Sequence, residues 1–273
     1  MTTAAWVTVR AGHARLRSSR TLAIVLYLCI PAFDEAPTIG VLLWRIRKVF
    51  QDYSREYEVV VFDDGSSDAT RETLEPYLKV LPLTVLGGKS KVGYARAVDA
   101  LLREASSRTR YPRRDALVLM QADFTDQPEH LPELVKRFEG GADIVVVERD
   151  YRQYPKGAER TLRRVAPWVL KPFVKVPGVT DPLNSFRLYR VSVVRDLLKT
   201  LGEKPVLGHD GWAGNVELLV KAVAFARRIE TVALEALHGL RQRESRVRTW
   251  PEVKELYTLG RETRMRREVV PTP

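Results

Sequence analysis

Cysteine occurs once in the 273 residues, at Cys29, which excludes a disulfide framework and any multi-cysteine metal centre. Long apolar runs are missing too: the longest, Leu22 to Phe33, has 12 residues, short of the roughly 18 that a membrane span needs. No secretory cleavage pattern accompanies it, so it reads as a buried strand. The four histidines lack metal-ligand spacing; His13, His130 and His238 read as structural, and His209 as a capped-turn residue. There is no internal repeat, no low-complexity tract and no helix-turn-helix, zinc-finger or RNP-type pattern, which sets nucleic acid aside as a partner. The expectation is a cytoplasmic protein in a reducing compartment, peripheral to a membrane.

What is present is a globular composition, 45% hydrophobic and 29% charged, with a lopsided charge. Residues 1–150 carry 21 basic and 21 acidic side chains; residues 151–273 carry 24 and 13, so the whole net charge of +11 lies in the second half. Such asymmetry points to a polyanionic partner, either an anionic membrane surface or a phosphorylated substrate, although a solvated basic face would look the same.

Residues 1–20, small and basic, are read as a mobile arm. From there strands and helices alternate. Strands are expected at Leu22–Ile30, Glu58–Phe62, Leu83–Leu86, Ala116–Met120 and Asp143–Val147, with helices around Ile39–Phe50, Ala69–Leu78, Gly93–Ser106 and Pro128–Phe138. This alternation calls for a layered α/β fold with a mostly parallel central sheet. Ligands of such sheets bind beyond the carboxyl ends of the strands. Three of those ends carry polar clusters: Asp34-Glu35, Asp63-Asp64 and Gln121/Asp123. Between Arg160 and Val176, Trp168, Phe173 and aliphatic residues mix with lysines and arginines, and Pro167 and Pro172 argue against one regular helix. That stretch suits either short segments on an anionic lipid surface or a proline-broken core connection. A further helix is expected at Val216–Arg227, a basic loop at Arg241–Arg248 and a helical tail over 249–273.

The strings YLCIPAFDEAPTI, VVVFDDGSSDAT, VLMQADFTDQP and VTDPLNSFRLYR, in this order and spacing, resemble the family two glycosyltransferases of the GT-A (Rossmann-like) fold. The last string resembles their polyprenyl-phosphate (dolichyl-phosphate) hexosyltransferase branch. The resemblance covers residues 21–248, a nucleotide-sugar half at 21–150 and an acceptor half at 151–248. It implies a nucleoside-diphosphate sugar bound by Pro31, Phe33, Glu35, Asp63, Asp64, Lys91, Gly93 and Ala122. In this reading Phe33 packs on the base, Asp63 accepts its imino N–H, and Lys91 and Gly93 hold the diphosphate at a helix start. A capped βα turn is the alternative reading of Asp63-Asp64-Gly65-Ser66. Gln121 and Asp123 stand where the family has an Asp-x-Asp metal motif. The loss of one carboxylate implies a weaker Mg²⁺ or Mn²⁺ site, or a member without catalysis.

For the acceptor, the resemblance assigns Arg187 and Ser185, in a motif reading Asn184-Ser185 where relatives have Ser-Gly, supported by Arg149, Arg163, Arg164 and Ser245-Arg246. A lipid phosphate is already ionised near neutral pH and needs positioning more than a base. Asp181 and Asp210 are the candidate bases if the acceptor is a hydroxyl. The expected reaction is an inverting transfer of a hexose, from GDP-mannose or UDP-glucose, to a polyprenyl phosphate at the membrane face. The protein would sit on the bilayer through its basic half or dock on a membrane partner protein. The alternatives are a saccharide or small-molecule hydroxyl acceptor, or a non-catalytic nucleotide-sugar-binding protein.

Overall fold

The computed structural model describes residues 9–10, 24–150, 152, 154, 157–174, 176–235 and 249–269, and side chains within the last segment from 250 to 263. Eight strands form one sheet: β1 (Val9–Arg10), β2 (Val25–Ala32), β3 (Glu56–Asp64), β4 (Leu83–Gly88), β5 (Ala116–Leu119), β6 (Ile144–Glu148), β7 (Arg187–Arg190) and β8 (Ile229–Ala233). Their spatial order is β1-β4-β3-β2-β5-β7-β6-β8. The five strands expected from sequence are β2 to β6, and β2–β5 run parallel to one another. The short β7 is antiparallel to both of its neighbours, β5 and β6.

Helices cover both faces: α1 (Ala36–Asp52), α2 (Thr70–Leu74), α3 (Tyr94–Arg108), α4 (Leu131–Glu139), α5 (Ala158–Leu170), α6 (Val191–Leu201), α7 (Gly211–Val223) and α8 (Thr249–Val269). Alternate residues of β2 feed opposite cores. Leu26, Leu28 and Ile30 pack with α1 residues Ile39, Leu42 and Ile46, while Tyr27 and Cys29 pack with α3 residues Val98, Leu101 and Leu102. A strand buried on both faces must be apolar throughout, which explains the continuous run read from the sequence. Burial also pushes the Cys29 thiol up to about 12, so this cysteine is inert packing.

Three expectations need correction. Val9–Arg10, inside the expected arm, pairs antiparallel with β4; the rest of residues 1–20 lies outside the described residues. The helix expected at Ala69–Leu78 is α only to Leu74 and continues as a 3₁₀ turn over Glu75–Lys79, since Pro76 removes an amide donor. Pro167 does not break its helix: α5 runs through it to Leu170. One lost hydrogen bond is tolerated there because Leu162, Ala166 and Leu170 are buried against Leu256 and Leu259 of α8 and Ala213 and Val216 of α7. The β7–α6 unit and β8 carried no distinct sequence signal.

His209, at the turn into α7, ties α8 to this half. Its ring Nδ1 lies 2.9 Å from Glu255 and Nε2 3.4 Å from Glu262, and its backbone N–H donates to Glu217 at 3.1 Å. Burial favours the neutral ring, but the bond to Glu255 and the charges of Glu217 and Glu262 outweigh it and raise the pKa. A raised folded-state pKa stabilises fully below the unfolded value of about 6.5, and that stability is lost as pH rises through the folded value. Hydrogen exchange along α8 should therefore accelerate as pH climbs through and above that window, after correction for intrinsic rates. His209→Gln should remove the pH dependence.

Candidate functional site

The carboxyl ends of β2, β3, β4 and β5 lie side by side, and the register sets Ala32 opposite Asp63 and Asp63 opposite Gly87. The turns leaving β2 and β3 are laced together. Asp34 N–H donates to Ser66 Oγ at 3.0 Å, Ser67 N–H to Asp34 Oδ1 at 2.7 Å, and Glu35 N–H to Thr70 Oγ1 at 2.8 Å. Asp34 holds φ 52°, a left-handed conformation that few side chains adopt and that persists only where the surroundings enforce it. Gly87, at φ 111°, has no alternative: a Cβ there would strike the Asp63 carbonyl. Asp63 and Asp64 are both buried. Asp63 accepts from Ser66 N–H at 3.1 Å and meets Arg71 at 3.3 Å. Glu35, buried at the start of α1, accepts from Thr38 Oγ at 3.0 Å.

The start of α3 differs from expectation. Asp64 accepts from Val92 N–H at 2.6 Å and Gly93 N–H at 3.1 Å, and Asp210 accepts from Ala95 N–H at 2.6 Å. Two carboxylates thus occupy the helix start that Gly93 was expected to offer to a diphosphate. Lys91 lies with Nζ 3.5 Å from the Phe33 ring centroid, so a cation covers the ring assigned to the base. Asp210 is exposed at the head of α7.

The loop after β5 holds the departure from the Asp-x-Asp pattern. Gln121 N–H donates to Asp126 at 2.6 Å, and its side-chain Nε2 donates to Ser185 Oγ at 2.9 Å. Ala122 is buried, Asp123 accepts from Thr125 N–H at 3.1 Å and from its hydroxyl, and Phe124 between them takes φ 64°. Asp126 meets Arg149, at the end of β6, at 2.9 Å with both side chains almost wholly buried. Burial pushes the Asp126 carboxyl up, against the pull of Arg149 and the Gln121 amide. Among the described residues no three His, Cys, Asp or Glu side chains gather to hold a metal ion. The donors here are one carboxylate, Asp123, and the Gln121 carbonyl oxygen, left as acceptor once its amide nitrogen is committed to Ser185. That set fits a hard divalent ion only if a substrate supplies most of the remaining oxygens, as magnesium commonly requires.

On the acceptor side, Arg163 donates to Asp181 at 2.9 Å and stacks over Tyr154 and Trp212, at 4.2 and 4.6 Å from their centroids. Arg149 and Arg163 each keep a buried Nε without a hydrogen-bond partner. Arg187, expected to anchor the acceptor, is 1% exposed. Its terminal nitrogens donate to the carbonyls of Asn215, at 2.6 Å, and Pro182. Arg164 is exposed on α5, and Ser245 and Arg246 lie outside the described residues. The residues that sequence reasoning missed are Tyr154, Trp212 and Asn215. Asn215 links three elements by accepting from Tyr94 at 2.6 Å and donating to Leu183 O at 3.1 Å, and no motif marks any of the three.

Acids at the ends of parallel strands, facing arginines across β7, are the layout of a GT-A nucleotide-sugar fold. Residues 27–198 match the family described as glycosyl transferase family 2, and the chain belongs to it. It is 28% identical over 205 residues to a prophage bactoprenol glucosyl transferase homolog of Escherichia coli (strain K12), and 29% identical to the bactoprenol glucosyl transferase of Shigella phage SfV. Each match covers 73% of this chain, which spans only 63% of each relative's length. Glucosyl-3-phosphoglycerate synthase from Mycobacterium tuberculosis, solved with Mn²⁺, uridine diphosphate and glucosyl-3-phosphoglycerate, shares the fold. Its TM-score is 0.59 at 19% identity, covering 92% of this chain and 81% of that one.

Breaking the Asp126–Arg149 pair leaves a buried charge alone. Arg149→Met should lower stability by about 3–5 kcal/mol in chemical denaturation, whereas Asp126→Leu with Arg149→Met should recover most of that loss.

Proposed function

We propose that the protein is an inverting hexosyltransferase that moves glucose from UDP-glucose to a polyprenyl phosphate at an anionic membrane surface, alone or with a membrane partner protein. The observation that carries this reading is the pairing of buried acids at the β2, β3 and β5 ends with the buried arginines Arg149 and Arg163 on the other side of the same edge. The similarity to proteins named bactoprenol glucosyl transferases supports the choice of glucose over mannose.

In this reading Asp63 accepts the imino N–H of the base and Asp64 faces the ribose, after Lys91 leaves the Phe33 ring for the donor diphosphate. Gln121 and Asp123 would hold Mg²⁺ or Mn²⁺, which would supply compensation for negative charge on the leaving diphosphate. Arg149 and Arg163 position the acceptor phosphate by their charge, Arg149 beside Asp126 and Arg163 beside Glu159 and Asp181. An ionised acceptor oxygen forms its bond to the anomeric carbon as the bond to the diphosphate oxygen breaks, with inversion, and no proton need be removed. Tyr154 and Trp212 both pack against the Arg163 guanidinium and help shield it from water.

Incubation of the full chain with labelled UDP-glucose, a divalent ion and polyprenyl phosphate should give a lipid-linked glucose. Absence of product with both UDP-glucose and GDP-mannose would overturn the proposal. A hydroxyl acceptor is the second reading, favoured by the exposure of Asp210 at the edge of the site. Asp210→Asn keeps a capping side chain, so the rate should fall less than about ten-fold if a phosphate is the nucleophile. It should fall by about 10²-fold or more if Asp210 is a general base.

A further inference from the structure

The two faces of α5 differ in kind. The inner face carries Leu162, Ala166 and Leu170 into the core shared with α7 and α8, together with the buried Arg163. The outer face carries Arg160, Thr161, Arg164, Val165 and Trp168, which with Arg152 and Gly157 line a cavity of about 760 Å³. Trp168 is 75% exposed, although burial of an indole is strongly favourable. Lys171 continues the stripe one turn on, its Nζ 5.8 Å from the Trp168 ring centroid. Among the described residues, the ion pairs of this helix run through Arg163, to Glu159 and Asp181, and none involves Arg160, Arg164 or Lys171. A second exposed tryptophan, Trp250 at 82%, opens α8, the helix packed against α5. No helix of the described residues is long and apolar enough to cross a membrane.

We infer that this outer face of α5 is the surface that seats the protein on an anionic phospholipid bilayer, with its arginine-lined cavity receiving a lipid phosphate. Arg164 and Lys171, outside every ion pair among the described residues, flank an exposed indole, while Arg152 pairs with Asp150 and Arg160 donates to the Tyr154 carbonyl at 3.5 Å. This pattern matches the headgroup layer, where tryptophan lies with its ring in the apolar boundary and basic side chains meet lipid phosphates. A folded acidic or apolar protein partner fits less well, because the exposed apolar side chains, Val165 and Trp168, are too few for an apolar patch and are interspersed with cations. The geometry also serves the proposed reaction, on which this inference rests. Arg163 is the neighbour of Arg164 in sequence, about 100° around the same helix, so a bilayer at the outer face would lie within about one helix diameter, roughly 10 Å, of the acceptor clamp.

The test is co-sedimentation of the full chain with vesicles of phosphatidylcholine alone, or of phosphatidylcholine mixed with phosphatidylglycerol. The parent should bind only the mixed vesicles and release them as salt is raised. Each cation near such a surface multiplies binding roughly five-fold, so Arg164→Gln with Lys171→Gln should weaken it roughly 25-fold. Trp168→Ala should weaken it independently of salt. The same variants should keep parental glucose transfer to a short-chain polyprenyl phosphate in detergent, which shows that they fold. Equal binding by parent and variants, equal binding to neutral vesicles, or binding only to vesicles that carry a membrane protein would each overturn the inference. Selective vesicle binding without any transfer in detergent would leave the surface standing and overturn the proposed reaction.

Discussion

The ion pair between Asp126 and Arg149 is the constraint around which the candidate site is built. It joins the loop after β5 to the end of β6 across the antiparallel strand β7, with both side chains almost wholly out of water. A buried pair of this kind adds little net stability over a well-packed apolar pair, but it permits very few arrangements of its neighbours. Asp126 also takes the Gln121 backbone N–H, so the pair fixes where that loop begins. The strained Phe124 and the turn bearing Asp123 follow from that anchoring. A loop held this firmly can present one carboxylate and one amide oxygen at a defined place, which a mobile loop could not do without an entropic cost.

The chain departs from the family pattern at two places, Gln121 and Asn184-Ser185, and the structure brings the two into contact. Gln121 donates to Ser185 Oγ, while Asn184 donates to the Val147 carbonyl at 3.0 Å and accepts from the Phe186 amide at 3.1 Å. An aspartate at 121 could not donate to Ser185, and a glycine at 185 would offer Gln121 no hydroxyl. The Gln121–Ser185 bond therefore ties the loop after β5 directly to the segment that leads into β7. Beyond that bond, Arg163 packs against Tyr154 and Trp212, and the outer face of the same helix meets solvent.

Much of this was legible in the sequence. The strands β2 to β6 are apolar runs closed by polar residues, so their ends, and with them Asp63, Asp64, Gln121 and Asp123, could be assigned to one edge of a parallel sheet. The burial of Arg187 was not legible, because its motif says nothing about burial. The residue donates to the nearby Pro182 carbonyl and to that of Asn215 on α7, 28 residues away in sequence. The α3 start was misread for a similar reason, since Asp210 is more than a hundred residues away in sequence. Tyr154 and Trp212 stayed hidden because stacking on a guanidinium leaves no periodic trace. Pro167 was weighed by its local cost alone, whereas the burial of three side chains on α5 decides the matter.

In the proposed function the β2, β3 and β5 ends form one donor site, where Asp123 would help hold a divalent ion beside the substrate diphosphate. Calorimetric titration of UDP into the full chain, with and without Mn²⁺, tests it most directly when Asp123→Ala is run beside the parent. The account predicts that Mn²⁺ tightens UDP binding at least ten-fold in the parent and has no effect in the variant. UDP affinity that is the same in both proteins, with or without the ion, would contradict it.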